Sequence, residues 1–170
     1  MSIPTPTIEV SSKVSGDAAK LFVETFYQSL NYHRDRLSSF YTPPSTMPDG
    51  RALPAIVWNG NVVPDPVTLQ NLFEQEMPKS AFTVQNYDCH VLNPNYVAEG
   101  TQGGDAISGA NMTIMIVVSG FVKYAEARSA TQRGFSDSFI LVPNPAAAAM
   151  SRVQDRRHWL VQSHNSRLVV

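Results

Sequence analysis

Hydrophobic residues recur at helical spacing in the first half of the chain. Over residues 16–31 the apolar positions are three or four residues apart, which places them on one stripe of a helix. These positions are Ala18, Leu21, Phe22, Phe26 and Leu30. Ser15 and Asp17 are both suitable residues to cap the start of this helix. The same spacing predicts two shorter helices, over residues 34–41 and 67–77, each ended by proline.

From residue 80 onward the pattern is that of β-strands separated by loops. Apolar and β-branched runs predict strands over residues 81–92, 111–124, 134–142 and 157–169. A shorter strand over residues 55–58 is followed by Asn59 and Gly60, which tolerate the positive φ of a tight hairpin turn. A series of strands after a series of helices favours an α+β domain with an antiparallel sheet, because a parallel sheet needs a crossover element between its strands.

The chain has the length of a single domain. Its 170 residues are enough to bury a hydrophobic core. We expect residues 1–15, where proline and threonine alternate at the start, to form a flexible arm, and residues 16–170 to form the domain. The connections over residues 93–110 and 143–156 are long and rich in Gly, Pro, Ala and Asn. Loops of this length in a compact domain are usually either functional or disordered.

Two of the predicted strands are apolar on both faces. In the strand over residues 111–124, apolar side chains occupy odd and even positions alike, namely Ile114, Met115, Ile116, Val117, Val118 and Phe121. Three helices cover only one face of a four- or five-stranded sheet, so the second apolar face indicates either a partner or loops that fold back over it. Ser119 and Gly120 in mid-strand predict a bulge or bend, and so a strongly curved sheet.

Composition narrows the classes of function. The chain is 43% hydrophobic and 16% charged with a formal charge of -1, so it is globular and has no overall electrostatic attraction to nucleic acid. A single cysteine, Cys89, and the absence of zinc-type spacing suit a reducing compartment. The start lacks the pattern of a signal peptide, and the longest apolar run, over residues 112–118, is too short to span a bilayer, so no membrane insertion is expected.

Several titratable residues lie on or beside the predicted strands. Asp88 and His90 are two apart on one strand face, and Asp137, His158 and His164 occur on or near others. An acid and base pair inside a curved sheet is one hypothesis. The alternative, which we favour, is that these side chains are solvated or hydrogen-bonded. No phosphate-binding glycine loop or nucleophile elbow accompanies them.

Basic residues are concentrated toward the end of the chain. Between residues 123 and 157 they are Lys123, Arg128, Arg133, Arg152, Arg156 and Arg157. These are either ordinary solvated charges or a local patch that contacts RNA or an acidic protein surface. Arg167 stands apart from them, because it lies in an apolar final strand where a guanidinium must reach water or a carboxylate.

A family resemblance is carried by short motifs spread over residues 18–169. The sequence IVWNGNVV over residues 56–63 resembles the equivalent segment in the small subunit of the mRNA-export heterodimer, within the nuclear transport factor 2-like family. Further matches are Phe26-Tyr27, Tyr87-Asp88-Cys89, residues 117–124 and 135–141, and Trp159 with Arg167. The long loops are similar to those of the fungal members, of the mRNA transport regulator type.

The resemblance implies a cone-shaped fold and a function in transport. In this family N-terminal helices pack on a strongly bent antiparallel sheet, and no cofactor or metal is used. The small subunit forms a heterodimer with the nuclear transport factor 2-like domain of the large mRNA-export receptor. Expected partners are also the Phe-Gly nucleoporins, directly or through that receptor, and RNA or the pre-ribosome through the basic loops. The expected location is the nucleus and nuclear pore, with shuttling to the cytoplasm.

The resemblance also implies where the partner binds. Arg167 matches a final-strand arginine that pairs with a carboxylate of the partner, whereas His164 and Ser166 should point the other way. The residues expected to bind the partner are Arg167, Asn165, Ser163, Val161, Val169 and Ile140. The position that matches Asn165 is apolar in some relatives.

An enzyme on the same fold is the alternative. Ketosteroid isomerase and scytalone dehydratase relatives use the cone between helix and sheet as an active site. The residues expected to line the cone here are large and apolar, which favours a filled core; they are Phe22, Phe26, Phe135 and Phe139. Asp88 and Asp137 keep the enzyme hypothesis open, as would Tyr27 if it turned inward.

Overall fold

The computed structural model describes residues 4–96, 109–125, 130–148 and 157–169. The helical elements are α1 (Ile8–Tyr32), a 3-10 helix (Arg34–Phe40), α2 (Pro66–Asn71), a π-helical turn (Leu72–Glu76) and a short 3-10 helix (Pro145–Ala148). The strands are β1 (Ser45–Thr46), β2 (Ala52–Leu53), β3 (Ala55–Trp58), β4 (Asn61–Val63), β5 (Ser80–Asn93), β6 (Thr113–Tyr124), β7 (Gln132–Pro143) and β8 (Trp159–Val169). Among the described residues, no helix is long and apolar enough to cross a membrane.

The main sheet has six strands in the order β4-β3-β8-β7-β6-β5. The α+β prediction is confirmed, but the prediction of a fully antiparallel sheet is wrong in one pair. β3 and β8 run parallel, with Ala55 opposite Ser163 and Trp58 opposite Ser166. The chain between these two strands contains α2 and three long strands, which together form the single long crossover that a parallel pair needs. The remaining pairs of this sheet are antiparallel.

The first helix begins at Ile8, eight residues before its predicted start. The Thr7 hydroxyl caps it by accepting the Val10 N–H at 3.2 Å. Gly109 lies against this extra part of the helix, since a Cβ built there would be 3.1 Å from Val14 Cγ2. The prediction of a flexible arm over residues 1–15 is therefore wrong for residues 8–15. Gly109, which lies beside Val10 and Val14, is about a hundred residues away from them in sequence.

The apolar stripe of α1 fills the concave side of the sheet. Its buried residues are Ser15, Ala18, Ala19, Phe22, Val23, Phe26, Tyr27, Ser29 and Leu30. Phe26 is at the centre, with its ring 5.3 Å from that of Phe40 and 5.1 Å from that of Phe139. Leu21 was predicted to belong to the stripe but is 56% exposed. It lies about 100° around the helix from Phe22, beyond the edge of the contact.

Arg34 connects the end of α1 to the helical segment before β5. Its Nε donates to the Leu30 carbonyl at 3.2 Å, and its two terminal nitrogens donate to the carbonyls of Phe73, Met77 and Pro78. Its guanidinium also lies 5.4 Å from the centre of the Phe73 ring. Carbonyls near the end of a helical segment lack an intrahelical donor, and the carbonyls of Leu30, Phe73 and Met77 lie at or next to such ends. Burial lowers the pKa of Arg34.

The predicted bend in the sheet is confirmed at Gly120. The β5–β6 register shifts between Val84 and Asn86, which lie opposite Gly120 and Ser119, so the extra residue is on β5. A Cβ at Gly120 would be only 2.0 Å from the Thr83 carbonyl oxygen. The two strands approach this closely because position 120 has no side chain, and the resulting bend gives the sheet its concave face.

The predicted hairpin turn between β3 and β4 is also confirmed. Asn59 and Gly60 both have positive φ, at 48° and 85°, as a two-residue turn of this hand requires. The Asn59 N–H donates to the Ser166 carbonyl at 2.7 Å, which ties the turn to β8. The turn thus makes β4 the edge strand of the sheet.

We expect Gly120→Ala to lower the free energy of unfolding by about 3 kcal/mol or more, because the added methyl group has no space beside the Thr83 carbonyl. Gly16→Ala is the matched control, since Gly16 is in α1 with nothing within 4 Å of its Cβ position. It should stabilise the helix by about 0.5–1 kcal/mol. Urea unfolding measures the free energy of unfolding of both variants. Equal values for Gly120→Ala and Gly16→Ala would contradict the close approach of β5 and β6 at Gly120.

Candidate interaction surface

The two faces of the β5–β8 part of the sheet differ in their surroundings. In β7, Phe135, Asp137 and Phe139 are buried against α1, whereas Ser136 and Ser138 between them are partly exposed. We call the side that points away from α1 the outer face. No described element covers it.

Cross-strand pairing arranges the outer face in rows. One row, from β5 to β8, consists of Asp88, Val117, Ser138 and Asn165. The next row toward the end of β8 consists of Asn86, Ser119, Ser136 and Arg167. On the other side of the first row lie His90, Met115, Ile140 and Ser163. The outer face is therefore a mixed surface, with apolar residues concentrated on β6 and small polar residues on β7.

Five of the six residues expected to bind a partner lie together on the outer face. They are Ile140, Ser163, Asn165, Arg167 and Val169. Asn165, Arg167 and Val169 are exposed, and Ile140 and Ser163 are partly exposed. The alternation that placed His164 and Ser166 on the opposite side is confirmed, because both are buried.

The placement of Val161 on this surface is wrong. Val161 is 0% exposed and belongs to the core. The register explains the error: Ile140 pairs with Ser163, but the next residue of β7, Leu141, pairs with Val161. One extra residue in β8 at this bulge reverses the alternation of its side chains.

Arg167 lies beside a shallow recess in the outer face. The recess has a volume of about 370 Å³ and is lined by Ser136, Ser138, Asn165, Arg167, Leu168 and Val169. Within the described part of the chain, no hydrogen bond or ion pair engages the Arg167 guanidinium. The surface therefore offers an open groove with a cation at its edge.

The apolar part of the outer face is also exposed. Val117 is 36% exposed in the middle of β6, and Val169 at the end of β8 and Val62 on β4 are more so. Met115 and Phe121 are partly exposed on the same side of β6. The second apolar face predicted from the sequence therefore exists, and the described loops do not fold over it.

Asp88 and His90 lie on the outer face, not inside the cone. Their side chains lie side by side and exposed, with His90 Nε2 3.2 Å from Asp88 Oδ2. The hypothesis of an acid and base pair inside the curved sheet is therefore wrong for Asp88 and His90, whereas Asp137 and His164 do meet there. His158 is exposed just before β8, where its carbonyl accepts the Asn144 N–H.

A buried polar cluster does occur in the cone. The Tyr27 hydroxyl donates to the Asp137 carboxylate, and the other Asp137 oxygen is 3.5 Å from His164 Nε2. The Tyr41 hydroxyl is 2.8 Å from His164 Nδ1, and the Phe139 ring stacks on the imidazole with centroids 4.1 Å apart. Burial, followed by the negative charge of Asp137, raises the pKa of both Tyr27 and Tyr41.

The space around this cluster is filled by aromatic rings. Tyr27 does turn inward, as the enzyme alternative requires, and it meets Asp137 there. The predicted cone-lining residues Phe22, Phe26, Phe135 and Phe139 are all buried, however, and Asp137 is 0% exposed. Two surface depressions, each of about 370 Å³, lie outside the cone, one beside Arg167 and one between β4 and α2. The cluster is therefore enclosed in a packed core, where Asp137 Oδ1 and His164 Nε2 make no hydrogen bond with the described residues.

The basic candidates divide into three groups. Arg133 is exposed near the start of β7. The Arg157 guanidinium is instead stacked 3.3 Å from the centre of the Phe40 ring. Arg128, Arg152 and Arg156 lie outside the described residues. No cluster of three or more His, Cys, Asp or Glu suited to a metal ion is found in the described part of the chain.

Three residues of these sites were not recognised from the sequence. Ser136 and Ser138 form the floor of the recess, and the signal was available, because they alternate with buried residues along β7. Tyr41 contacts His164 from the segment just after the 3-10 helix. Its position showed only that it was apolar and near the end of a helix, so no sequence signal distinguished it.

Comparisons with known proteins agree with this geometry. No family model matches the chain. It is 29% identical to NTF2-related export protein 1 of Bos taurus over 124 residues, which are 73% of this chain and 71% of the bovine protein. A chain in the structure of the Chaetomium thermophilum Mex67 NTF2-like domain complexed with Mtr2 is 25% identical, with a TM-score of 0.73 over 91% of this chain and 98% of that one. A structure of Mtr2 is 25% identical, with a TM-score of 0.70 over 91% and 99%.

The bent sheet wrapped round α1 is the cone of the nuclear transport factor 2-like fold, and the structural comparisons confirm this class. Within the class, the chain is similar to the NTF2-related export proteins and to Mtr2. The resemblance found in the sequence, to the small subunit of an mRNA-export heterodimer, is confirmed by these relatives.

We expect the free energy of unfolding to fall as the pH rises above 10, the ordinary pKa of tyrosine. Burial holds the pKa of Tyr27 and Tyr41 well above that value and raises the pKa of Tyr124 to about 12. The unfolded chain therefore releases these protons at lower pH than the folded chain does. Each such tyrosine should reduce the free energy of unfolding by about 1.4 kcal/mol per pH unit above 10.

Tyr27→Phe tests whether Tyr27 contributes to this loss of stability. The slope of the unfolding free energy against pH above 10 should decrease by the contribution of about one proton. At pH 7 it should cost about 2 kcal/mol or more, since it leaves a buried carboxylate oxygen of Asp137 without its donor. Tyr32→Phe, at an exposed position, should change the pH 7 value by less than about 0.5 kcal/mol. Urea unfolding from pH 7 to 12 measures all three proteins, and a Tyr27→Phe profile parallel to wild type would contradict the expectation.

Proposed function

We propose that this chain is the non-enzymatic small subunit of an mRNA-export heterodimer, and that its outer face binds the NTF2-like domain of the large export receptor. The single observation that carries the proposal is the outer face itself. It is partly apolar, uncovered by the described residues, and edged by Arg167, which has no acidic partner among them. The similarity to Mtr2, and to a structure in which the Mex67 NTF2-like domain is complexed with Mtr2, supports the identity of the partner.

The apolar residues of the outer face supply a reason for stable association. Val117 and Val169 are exposed to water in the isolated chain, and Met115, Phe121 and Ile140 are partly exposed. Covering them with a second sheet removes apolar surface from water, which is the main favourable term in most protein association. Two sheets packed face to face lie about 10 Å apart, so side chains from both surfaces interdigitate.

Arg167 supplies a reason for specificity. When a partner covers the outer face, the guanidinium loses part of its contact with water, and a carboxylate that forms two hydrogen bonds with it compensates for that loss. A partner without an acid at this position leaves a desolvated charge unpaired. The recess beside Arg167, lined by Ser136 and Ser138, leaves space for an acidic side chain to enter.

The transport steps are finer proposals that rest on the family resemblance. In this proposal, the heterodimer carries mRNA through the nuclear pore by contacting Phe-Gly nucleoporins. Either this chain or its partner makes the contact. The chain would then be found in the nucleus and at the pore, and would shuttle to the cytoplasm. It would also support export of the large ribosomal subunit. Arg133 is the exposed basic candidate for RNA or the pre-ribosome in the described residues.

Arg167→Glu tests the proposed interface. Replacing the cation by a carboxylate places like charges together, so the Kd for the NTF2-like domain of the cognate export receptor should rise at least about tenfold, or 1.4 kcal/mol. Isothermal titration calorimetry measures this value, with circular dichroism to show that the variant is folded.

Arg36→Glu is the matched control for this charge reversal. Arg36 is exposed on the 3-10 helix, away from the outer face, and its replacement should leave the Kd unchanged. Equal affinities for the wild type and Arg167→Glu would show that this arginine is not at the interface.

A further inference from the structure

β5 lies at one edge of the main sheet, and the side of it that points away from β6 is its free edge. No described strand pairs with this free edge. The strand is 14 residues long, and beyond Phe82 its residues are exposed or partly exposed. An edge strand carries N–H and C=O groups that point out of the sheet, where a strand of another molecule can pair with them. A strand of this length and exposure is therefore a place where the sheet could be extended.

Two side chains show which backbone groups of β5 point to the free edge. The Phe82 N–H donates to Asn31 Oδ1 at 2.8 Å, and the Phe82 carbonyl accepts from Asn31 Nδ2 at 3.1 Å. The Cys89 N–H donates to Asp88 Oδ1 at 2.8 Å. Because backbone groups alternate in direction along a strand, these bonds fix the direction for their neighbours. The residues whose backbone groups point to the free edge are Phe82, Val84, Tyr87, Cys89 and Val91.

The bulge opposite Gly120 changes the spacing of these groups. A regular strand offers a backbone pair at every second residue, but the extra residue in β5 makes the step from Val84 to Tyr87 three residues long. A regular incoming strand therefore matches the groups on one side of the bulge but not those on both sides. The free edge is divided into a short segment, Phe82 and Val84, and a longer segment from Tyr87 to Val91.

One backbone group in each segment is already occupied by a side chain. Asn31, in the last turn of α1, has the donor and the acceptor of a peptide group, and it makes both of the bonds to Phe82 that a neighbouring strand would make. In the longer segment the Asp88 carboxylate holds the N–H of Cys89, midway between Tyr87 and Val91. Charged side chains on an edge strand oppose the addition of another strand. Neither segment thus offers two consecutive free pairs.

The opposite edge of the sheet is closed in a simpler way. β4 has only three residues and is followed by Pro64, which has no N–H to donate. Short edge strands and proline both limit strand addition.

We propose that Asn31 and Asp88 are inhibitory contacts that prevent a strand of another molecule from adding to β5. Asn31 takes the place of the absent strand at Phe82, and Asp88 interrupts the segment around Cys89. With both edges closed, association of the chain is restricted to the outer face. The proposal goes beyond the proposed function and does not depend on it, because the contacts at the edge are the same whichever molecule covers the face.

Hydrogen exchange of single backbone amides, measured by NMR on the full chain, tests the contact at Phe82. After correction for intrinsic rates, the Phe82 amide should exchange at least about tenfold more slowly than the amides of Val84 and Tyr87. These two point to the same edge and have no described acceptor. Asn31→Ala should remove the difference. A wild-type Phe82 amide that exchanges as fast as the other two would contradict the inhibitory contact.

The double variant Asn31→Ala/Asp88→Ala tests the inhibition itself. It should form assemblies at a concentration at least about tenfold lower than the wild type does, measured by sedimentation velocity between about 1 μM and about 100 μM. The matched control is Gln28→Ala/Thr83→Ala, which removes one exposed side chain from each of the same two elements without removing a hydrogen bond to the free edge. It should associate as the wild type does.

Hydrogen exchange of the assembled double variant, followed by mass spectrometry of quenched samples, identifies the surface used. Strand addition should slow the amides of Tyr87 and Val91, whereas contact through the outer face leaves the free edge open to exchange. A double variant that associates no more than the wild type, or assemblies in which these amides still exchange fast, would overturn the proposal. Circular dichroism checks folding. If the double variant does not fold, Asp88→Ala alone, at an exposed position, provides the same test.

Discussion

The packing of α1 into the concave face of the sheet decides how the rest of the molecule is used. Phe26 and its neighbouring rings occupy the volume that a substrate would need in an enzyme of this shape. The concave face exists because β5 and β6 approach closely at Gly120 and bend. Since one helix layer fills that side, the opposite side of the same strands has no cover from the described residues. The filled cone and the available outer face are two results of one arrangement.

Polar groups have different roles on the two sides of the sheet. Inside, the Tyr27 hydroxyl donates to Asp137 and the Tyr41 hydroxyl is hydrogen-bonded to His164 Nδ1. The remaining atoms of that pair, Asp137 Oδ1 and His164 Nε2, lie 3.5 Å apart without a hydrogen bond to the described residues. Outside, Arg167 has no such partner among the described residues. The inner groups make their contacts within the chain, whereas Arg167 is exposed beside apolar residues and available to a group from outside the chain. The proposed interaction therefore uses the convex side of the sheet.

Much of the fold could be predicted from the sequence because the responsible forces act locally. The helical stripe around Phe26, the turn at Asn59 and Gly60, and the long strands each depend on residues close together in the chain. The bend at Gly120 was predictable for the same reason, since a glycine in mid-strand marks a close approach. Arg167 was identified because a charged residue in an apolar strand is unusual. The existence of the outer face followed from counting apolar positions on both sides of β6 and β7.

Tertiary structure decided whatever depends on two distant segments meeting. The sequence by itself determined the elements, their order and the presence of a second apolar face. It did not place the start of α1 at Ile8, where the Thr7 hydroxyl caps the helix, or show that Val161 turns into the core, because a bulge between β7 and β8 reverses the alternation. It also did not show that the cone holds a polar cluster drawn from separate elements. Periodicity and turn chemistry are properties of neighbouring residues, whereas strand register and buried contacts exist only after the chain has folded.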